Sequence, residues 1–258
     1  MREKMFVTVN LKKILKTSAF AAALAVSVIM LGHPAIMAAY AGYSMRRVPV
    51  YSVETEKRQI CLTFDAAWGA DKTAGIVEIL KKNGISATFF LTGFWIDKFP
   101  EEVKLLDEAG IEIGNHSENH PDMAKLSAGQ IKEELESVNR KLKALTGKDV
   151  KYFRPPFGSY NDRLISTAES MGLTVVQWDV DSLDWKDTKS STIVNRVISK
   201  VKNGSILLFH NNSECVLDAV GIIIPLLKNK GYTFATVGET VYGENYYIDH
   251  TGRQRPNI

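Results

Sequence analysis

A short apolar run, a turn and an amphipathic segment recur along this chain from residue 59 to residue 235, and that alternation constrains the fold more than any other feature. Strands separated by single helices pair in parallel through right-handed crossovers, because a right-twisted strand feeding a helix packs back onto its own sheet in only one hand. The strand pattern covers Gln59 to Phe64, Ser86 to Leu91, Ile111 to Gly114, Tyr152 to Arg154, Leu173 to Trp178, Ser205 to Phe209 and Tyr232 to Ala235. Helices are predicted over Lys72 to Lys82, Glu101 to Ala109, Ser127 to Leu145, Asp162 to Met171, Thr192 to Lys202 and Leu217 to Lys228. The longest opens on a Ser cap and closes at Thr146-Gly147, while Pro155-Pro156 bars a helix after the fourth strand. Seven strands suit a barrel or an open doubly wound sheet. The turn after the first strand, Asp65-Ala66-Ala67-Trp68-Gly69, lacks the GxGxxG spacing, which disfavours a dinucleotide fold.

The ends of the chain read differently. Residues 1–41 have a basic start reaching Lys16, an apolar run from Ala19 to Leu31 and small residues at Ala39-Tyr40-Ala41, the parts of an export signal with a cut before Gly42. The run is shorter than the roughly 20 residues that a spanning helix needs, so cleavage is favoured over an uncleaved anchor. Either way the rest of the chain is expected outside the cytoplasm, touching the membrane only through the leader. The leader carries five basic residues against one acidic, so of the total charge of +3 the remainder holds −1. No basic field argues for nucleic acid. With 258 residues and 45% hydrophobic content, a single domain is the expectation, with residues 42–55 a polar lead-in and 244–258 a loose polar tail. Cys61 and Cys215 are permitted a disulfide by export, but Cys61 in an apolar strand is as readily a buried thiol.

Residues able to do chemistry recur at the carboxyl ends of these strands. Asp65 follows the first, His116 and His120 the third, Arg154 the fourth, Asp181 and Asp184 the fifth and His210 the sixth. The stretch Asn115-His116-Ser117-Glu118-Asn119-His120 holds two of the five histidines four apart, which on a helix would place both imidazoles on one face within reach of one metal ion. Each residue also has a plain structural role available: Asp65 as a helix cap, Arg154 in a surface ion pair, His210 as a satisfied core histidine. Together at one rim they would pair or bind something, since buried ionisable groups are otherwise costly.

The chain resembles the polysaccharide deacetylase family, metal-dependent carbohydrate esterases with a NodB-homology domain, over residues 56–243. Five ordered motifs carry the resemblance: Thr63-Phe64-Asp65-Ala66-Ala67-Trp68-Gly69, His116-Ser117-Glu118-Asn119-His120, Arg154-Pro155-Pro156-Phe157-Gly158, Asp181-Ser182-Leu183-Asp184-Trp185 and Ile206-Leu207-Leu208-Phe209-His210. The resemblance implies an α/β fold, a distorted seven-stranded (β/α) barrel, and removal of N-acetyl groups from a cell-wall glycan, peptidoglycan foremost, at N-acetylglucosamine or N-acetylmuramic acid units. It implies His116 and His120 as ligands of a divalent metal, zinc first and cobalt second, Asp65 as general base and Arg154 as its orienting partner. It further implies the Phe157 backbone N–H as oxyanion donor, His210 as general acid supported by Asp184 in preference to Asp181, and Trp185 and Leu208 as walls of the acetyl pocket. The family's third metal ligand, an aspartate after the first, is here Ala66, so the third donor would be Asp65 itself, Asp71 or water, and the metal is expected to be easily lost. The TFDAAWG wording resembles the sporulation-associated, PdaB-like branch. A catalytically silent carbohydrate-binding barrel is the competing reading, and a glycosidase using Asp65 and a fourth-motif aspartate is the next.

Overall fold

The structure, a computed structural model, describes residues 46–257 except 187 and 188, and within the leader only residues 20, 23, 26 and 27. The export signal expected over residues 1–41 therefore lies outside the described residues, and no helix among those described is long and apolar enough to cross a membrane. The body spans Arg47–Ile258.

In chain order its strands are β1 (Ser52–Val53), β2 (Gln59–Ala66), β3 (Thr88–Leu91), β4 (Glu112–Asn115), β5 (Tyr152–Phe153), β6 (Thr174–Val175), β7 (Val180–Asp181), β8 (Ile206–His210), β9 (Thr233–Ala235), β10 (Tyr246–Ile248) and β11 (Arg253–Pro256). Its helices are α1 (Thr73–Asn83), α2 (Gly93–Lys98), α3 (Pro100–Glu108), α4 (Ala128–Thr146), α5 (Asp162–Ser170), α6 (Ser190–Lys200), α7 (Val216–Asn229) and α8 (Val237–Thr240). All seven expected strands are present. The fifth divides, its continuation β7 forming an extra two-residue strand on the far side of β8. The main sheet is parallel throughout, in the order β6-β5-β4-β3-β2-β8-β7. Along β2, β8 pairs with Cys61 to Asp65, so β9 on Gln59–Cys61 and β3 on Thr63–Ala66 must share its other edge. That shared edge is what distorts the barrel.

Strand alternation sorts the side chains into two layers. Ile60, Leu62, Phe64 and Ala66 of β2, Phe89 and Leu91 of β3, and Leu207 and Phe209 of β8 join the apolar layer under the helices, where Phe64 stacks on Phe89 at 4.7 Å between ring centres. Burying each such phenylalanine contributes about 2–3 kcal/mol. Cys61, Phe90 and Ile206 point the other way, into a smaller interior cluster with Val50, Val53, Val176 and Val237. Asp65 and His210 share the interior parity of Cys61 and Ile206. The sheet thereby delivers them to its inner face at the carboxyl ends of adjacent strands, as register partners. Both cysteines are free thiols, Cys61 fully buried and pushed up to about 12 by that burial.

The longest helix has the expected caps: the Ser127 side chain accepts from the Gln130 N–H, the Gln130 side chain from Ser127 N–H, and Gly147 closes the far end at φ 71°. The lead-in and the tail are not loose. β1 pairs in parallel with β11, which pairs antiparallel with β10. Val50 also bridges Val176, and Ser52 bridges Ser205, so the lead-in joins the β6 edge of the main sheet to the start of β8. The tail escapes hydrophobic patterning because polar contacts hold it: Arg255 pairs with Asp249 and Glu54, and buried Gln254 donates to the Tyr242 carbonyl and accepts from its N–H.

Gly204 sits where β1 meets the turn into β8, at φ +75°, and an added Cβ would lie 1.8 Å from the Val53 carbonyl oxygen. Gly204→Ala is expected to cost roughly 2–4 kcal/mol, read as a lowered urea midpoint at unchanged slope. A variant as stable as the parent would show that the lead-in does not seal the sheet.

Candidate active site

The histidine pair stands on a loop, not on a helix. β4 ends at Asn115, and the chain then turns through left-handed backbone at Ser117 (φ 69°) and His120 (φ 54°), conformations that a helix start cannot contain. Asn115, fully buried, makes this possible: its Oδ1 accepts from Ser117 N–H at 2.8 Å while its Nδ2 donates to the Leu135 carbonyl and Asn139 Oδ1 on α4. Ser117 Oγ then accepts from His120 N–H at 3.0 Å. Glu118 ties the loop's outer side to α4 and α2 through Lys141, which also bonds Asp97. The imidazoles still converge, with ring centres 5.0 Å apart at 70°.

Arg154 organises what they face. Its side chain is fully buried, lies 4.2 Å over the Phe90 ring and 5.6 Å from Trp178, and donates from Nη1 to Asp65 Oδ1 at 2.8 Å and to Thr63 Oγ1 at 2.9 Å. Nη2 donates to the Gln177 carbonyl at 3.1 Å. This is no surface ion pair. The Arg154 carbonyl meanwhile takes the Nδ1–H of His116 at 2.7 Å, which sets the His116 tautomer and turns the Nε2 lone pair toward Asp65 Oδ2, 3.5 Å away. Burial drives the Asp65 carboxyl upward, but the charge and hydrogen bond of Arg154, joined by the charge of His210, overcome it and the net shift is down, so Asp65 is an anion. Burial lowers both imidazoles, His120 to about 4, so both are neutral and able to ligate.

Asp184, not Asp181, reaches His210. Its Oδ1 takes the His210 Nδ1–H and its Oδ2 the His210 backbone N–H, both at 2.8 Å. Asp181 instead accepts from Leu183 N–H. Burial would lower His210, but the hydrogen bond and charge of Asp184 reverse that and raise it. Asp65, His116, His120, Leu208 and His210 line one cleft of about 490 Å³, with exposed Phe157 and Trp185 among its walls. Phe157 holds left-handed backbone at φ 60° after the two prolines, and its ring meets His120 edge-on at 4.5 Å.

Two donors of one ion with bonds of about 2.0–2.2 Å lie roughly 3–4 Å apart, and the separation of His116 Nε2 from Asp65 Oδ2 meets that condition. His116 and Asp65 are thus spaced to share a divalent ion, with the His120 ring centre 5.0 Å from that of His116. The third protein position stays open. Ala66 packs into the apolar layer under the helices, and Asp71 is exposed, paired with Lys72, and absent from the cleft lining. Among the described residues no three His, Cys, Asp or Glu side chains, Asp65, His116 and His120 included, are placed to hold an ion together.

A family model described as polysaccharide deacetylase matches residues 52–176. A peptidoglycan-N-acetylglucosamine deacetylase of Bacillus cereus is 35% identical over 191 residues, covering 72% of this chain and 70% of that protein. The chain belongs to the polysaccharide deacetylase family. Another relative is the peptidoglycan-N-acetylmuramic acid deacetylase PdaA of Bacillus subtilis, 33% identical over 196 residues, with 74% of each chain covered. Among solved structures, the family's fold is matched at a TM-score of 0.72 by BA3943 of Bacillus anthracis, described as a pseudoenzyme, 35% identical over 74% of this chain and 68% of that one. Across eight curated relatives the chain spans 40% to 74% of their length. Metal dependence is general in the family, and its members' chemistry gives the cleft its frame.

Thr63, Asn115 and Trp178 were not singled out from sequence, although the first two lie inside the quoted stretches. Their roles appear only when strands distant in the chain come together. For the pair that did emerge, Asp184→Asn is expected to lower the His210 titration midpoint, followed by NMR of the ring proton. The pair's contribution to stability is full below the ordinary histidine value and fades as pH rises through the raised one. An unmoved midpoint would show that Asp184 does not hold the charge.

Proposed function

We propose that this chain hydrolyses the N-acetyl amide of amino sugars in a cell-wall glycan, peptidoglycan foremost. The observation that carries the reading is the pairing of an anionic Asp65 with a raised His210, in register on adjacent strands and beside two neutral imidazoles. Bound by His116 and His120, a divalent ion, zinc or cobalt, would polarise the acetyl carbonyl and acidify the attacking water. Asp65 takes the water's proton on Oδ2 while Arg154 holds Oδ1 in place. The Phe157 backbone N–H donates to the oxygen that gains charge as the carbonyl becomes tetrahedral. His210 delivers its Nε2 proton to the departing amine, its other nitrogen still bound to Asp184. Leu208 and Trp185 wall the methyl group.

The relatives' names support peptidoglycan and both amino sugars as substrates. The leader of residues 1–41 supports export to where such a glycan lies, and the TFDAAWG wording supports a place in spore wall formation. A second reading, a glycan-binding barrel without catalysis, is favoured by Ala66 and by the likeness to a pseudoenzyme.

Acetate release from chitin oligosaccharides and peptidoglycan fragments, with zinc or cobalt supplied, separates the two. The hydrolase is expected to release acetate only with metal present, and to lose about 10²–10⁴-fold in rate on Asp65→Asn. His116→Ala should abolish both metal uptake, by elemental analysis, and acetate release. No acetate from either substrate, with glycan affinity indifferent to His116→Ala, would establish the binder instead.

A further inference from the structure

The mechanism leaves one exposed aromatic side chain of the cleft unused. Trp68 lines the same cleft as Phe157 and Trp185, and the three are exposed by 57%, 68% and 64%. An indole kept in water forgoes the burial that its size would reward, and such a ring beside a reaction centre is available for a ligand's face. Its mounting is rigid. The carbonyl of Gly69, the next residue, accepts from Trp95 Nε1 at 2.7 Å and from Asn211 Nδ2 at 2.9 Å, and both donor residues are fully buried. The indole itself rests against His120, ring centres 5.0 Å apart at 67°, and near Phe94 at 6.3 Å. A fixed aromatic surface loses little entropy on binding.

The cleft's charge narrows the ligand. Its lining among the described residues contains no lysine or arginine, and Asp65 and Asp181 face it. A unit carrying a carboxylate would meet Asp181 and find no lysine or arginine in that lining, whereas the C–H face of an uncharged pyranose meets the electron-rich face of an indole favourably. We propose that Trp68 is a stacking platform for an uncharged sugar unit adjacent to the one whose acetyl group enters the cleft, so that the protein selects oligosaccharides over monosaccharides. The proposal rests on the glycan reading above and adds a specificity residue to it.

Calorimetric titration of the full chain without added metal, using N-acetylglucosamine and its tetramer as probes, tests this apart from catalysis. The unmodified protein should bind the tetramer more tightly than the monosaccharide. Trp68→Leu, which keeps apolar bulk without an aromatic face, should weaken tetramer binding about tenfold and leave the monosaccharide within about twofold, while Trp68→Phe retains most of the affinity. Matching melting temperatures show that the variants are folded. Should the Leu variant melt early, tetramer-specific quenching of indole fluorescence, present in the parent and missing in Trp68→Phe, gives the same support. No tetramer preference, an unaffected Leu variant, equal loss on both ligands, or quenching unchanged in the Phe variant would each overturn the platform. Trp68-dependent tetramer binding without acetate release under any metal would remove the hydrolase and leave the platform. Acetate release with tetramer binding indifferent to Trp68 would do the reverse.

Discussion

A guanidinium taken wholly out of water is the constraint on which this site depends. Desolvating such a cation costs several kcal/mol, and only partners with good geometry offset it. Arg154 finds them in Asp65, Thr63 and the Gln177 carbonyl, with Phe90 beneath it. The same residue's carbonyl takes the His116 Nδ1–H. One residue on β5's exit therefore sets the charge of the base through its side chain and the tautomer of a ligand through its backbone.

The remaining geometry follows from strand parity. Period-two alternation on β2 sends Asp65 inward and Ala66 outward, and on β8 it sends Leu208 and His210 inward and Phe209 outward. The two functional groups acquire opposite tendencies from unlike neighbours. Asp65 is held anionic by a buried cation, and His210 is held toward its cation by a buried anion. Separating the proton affinities of two groups in this way is how one cleft carries both a base and an acid.

Much of this was legible in the chain because parallel strands put their chemistry at one end, so Asp65, Arg154, Asp184 and His210 could be read from position and motif. Helix caps at Ser127 and Gly147 are local and were equally readable. What escaped depends on contacts far along the chain. A spacing of four suggested a helix for His116 and His120, but Asn115 is bonded to α4 and bends the backbone into left-handed turns instead. The tail looked loose because its β-hairpin is held by ion pairs and an amide, interactions that leave no hydrophobic period. The preference for Asp184 over Asp181, by contrast, came with the family resemblance, and its physical cause is the Leu183 kink, at φ 52°, which commits the first to the backbone and frees the second for His210.

The outward placement of residue 66 has an evolutionary consequence. Base, acid, imidazoles and their supports are all braced by contacts that do not pass through that position, so exchanging a carboxylate for a methyl there leaves the scaffold intact. A carboxylate set back among those apolar side chains would be desolvated without a partner, so the methyl, once fixed, is held there by the packing around it.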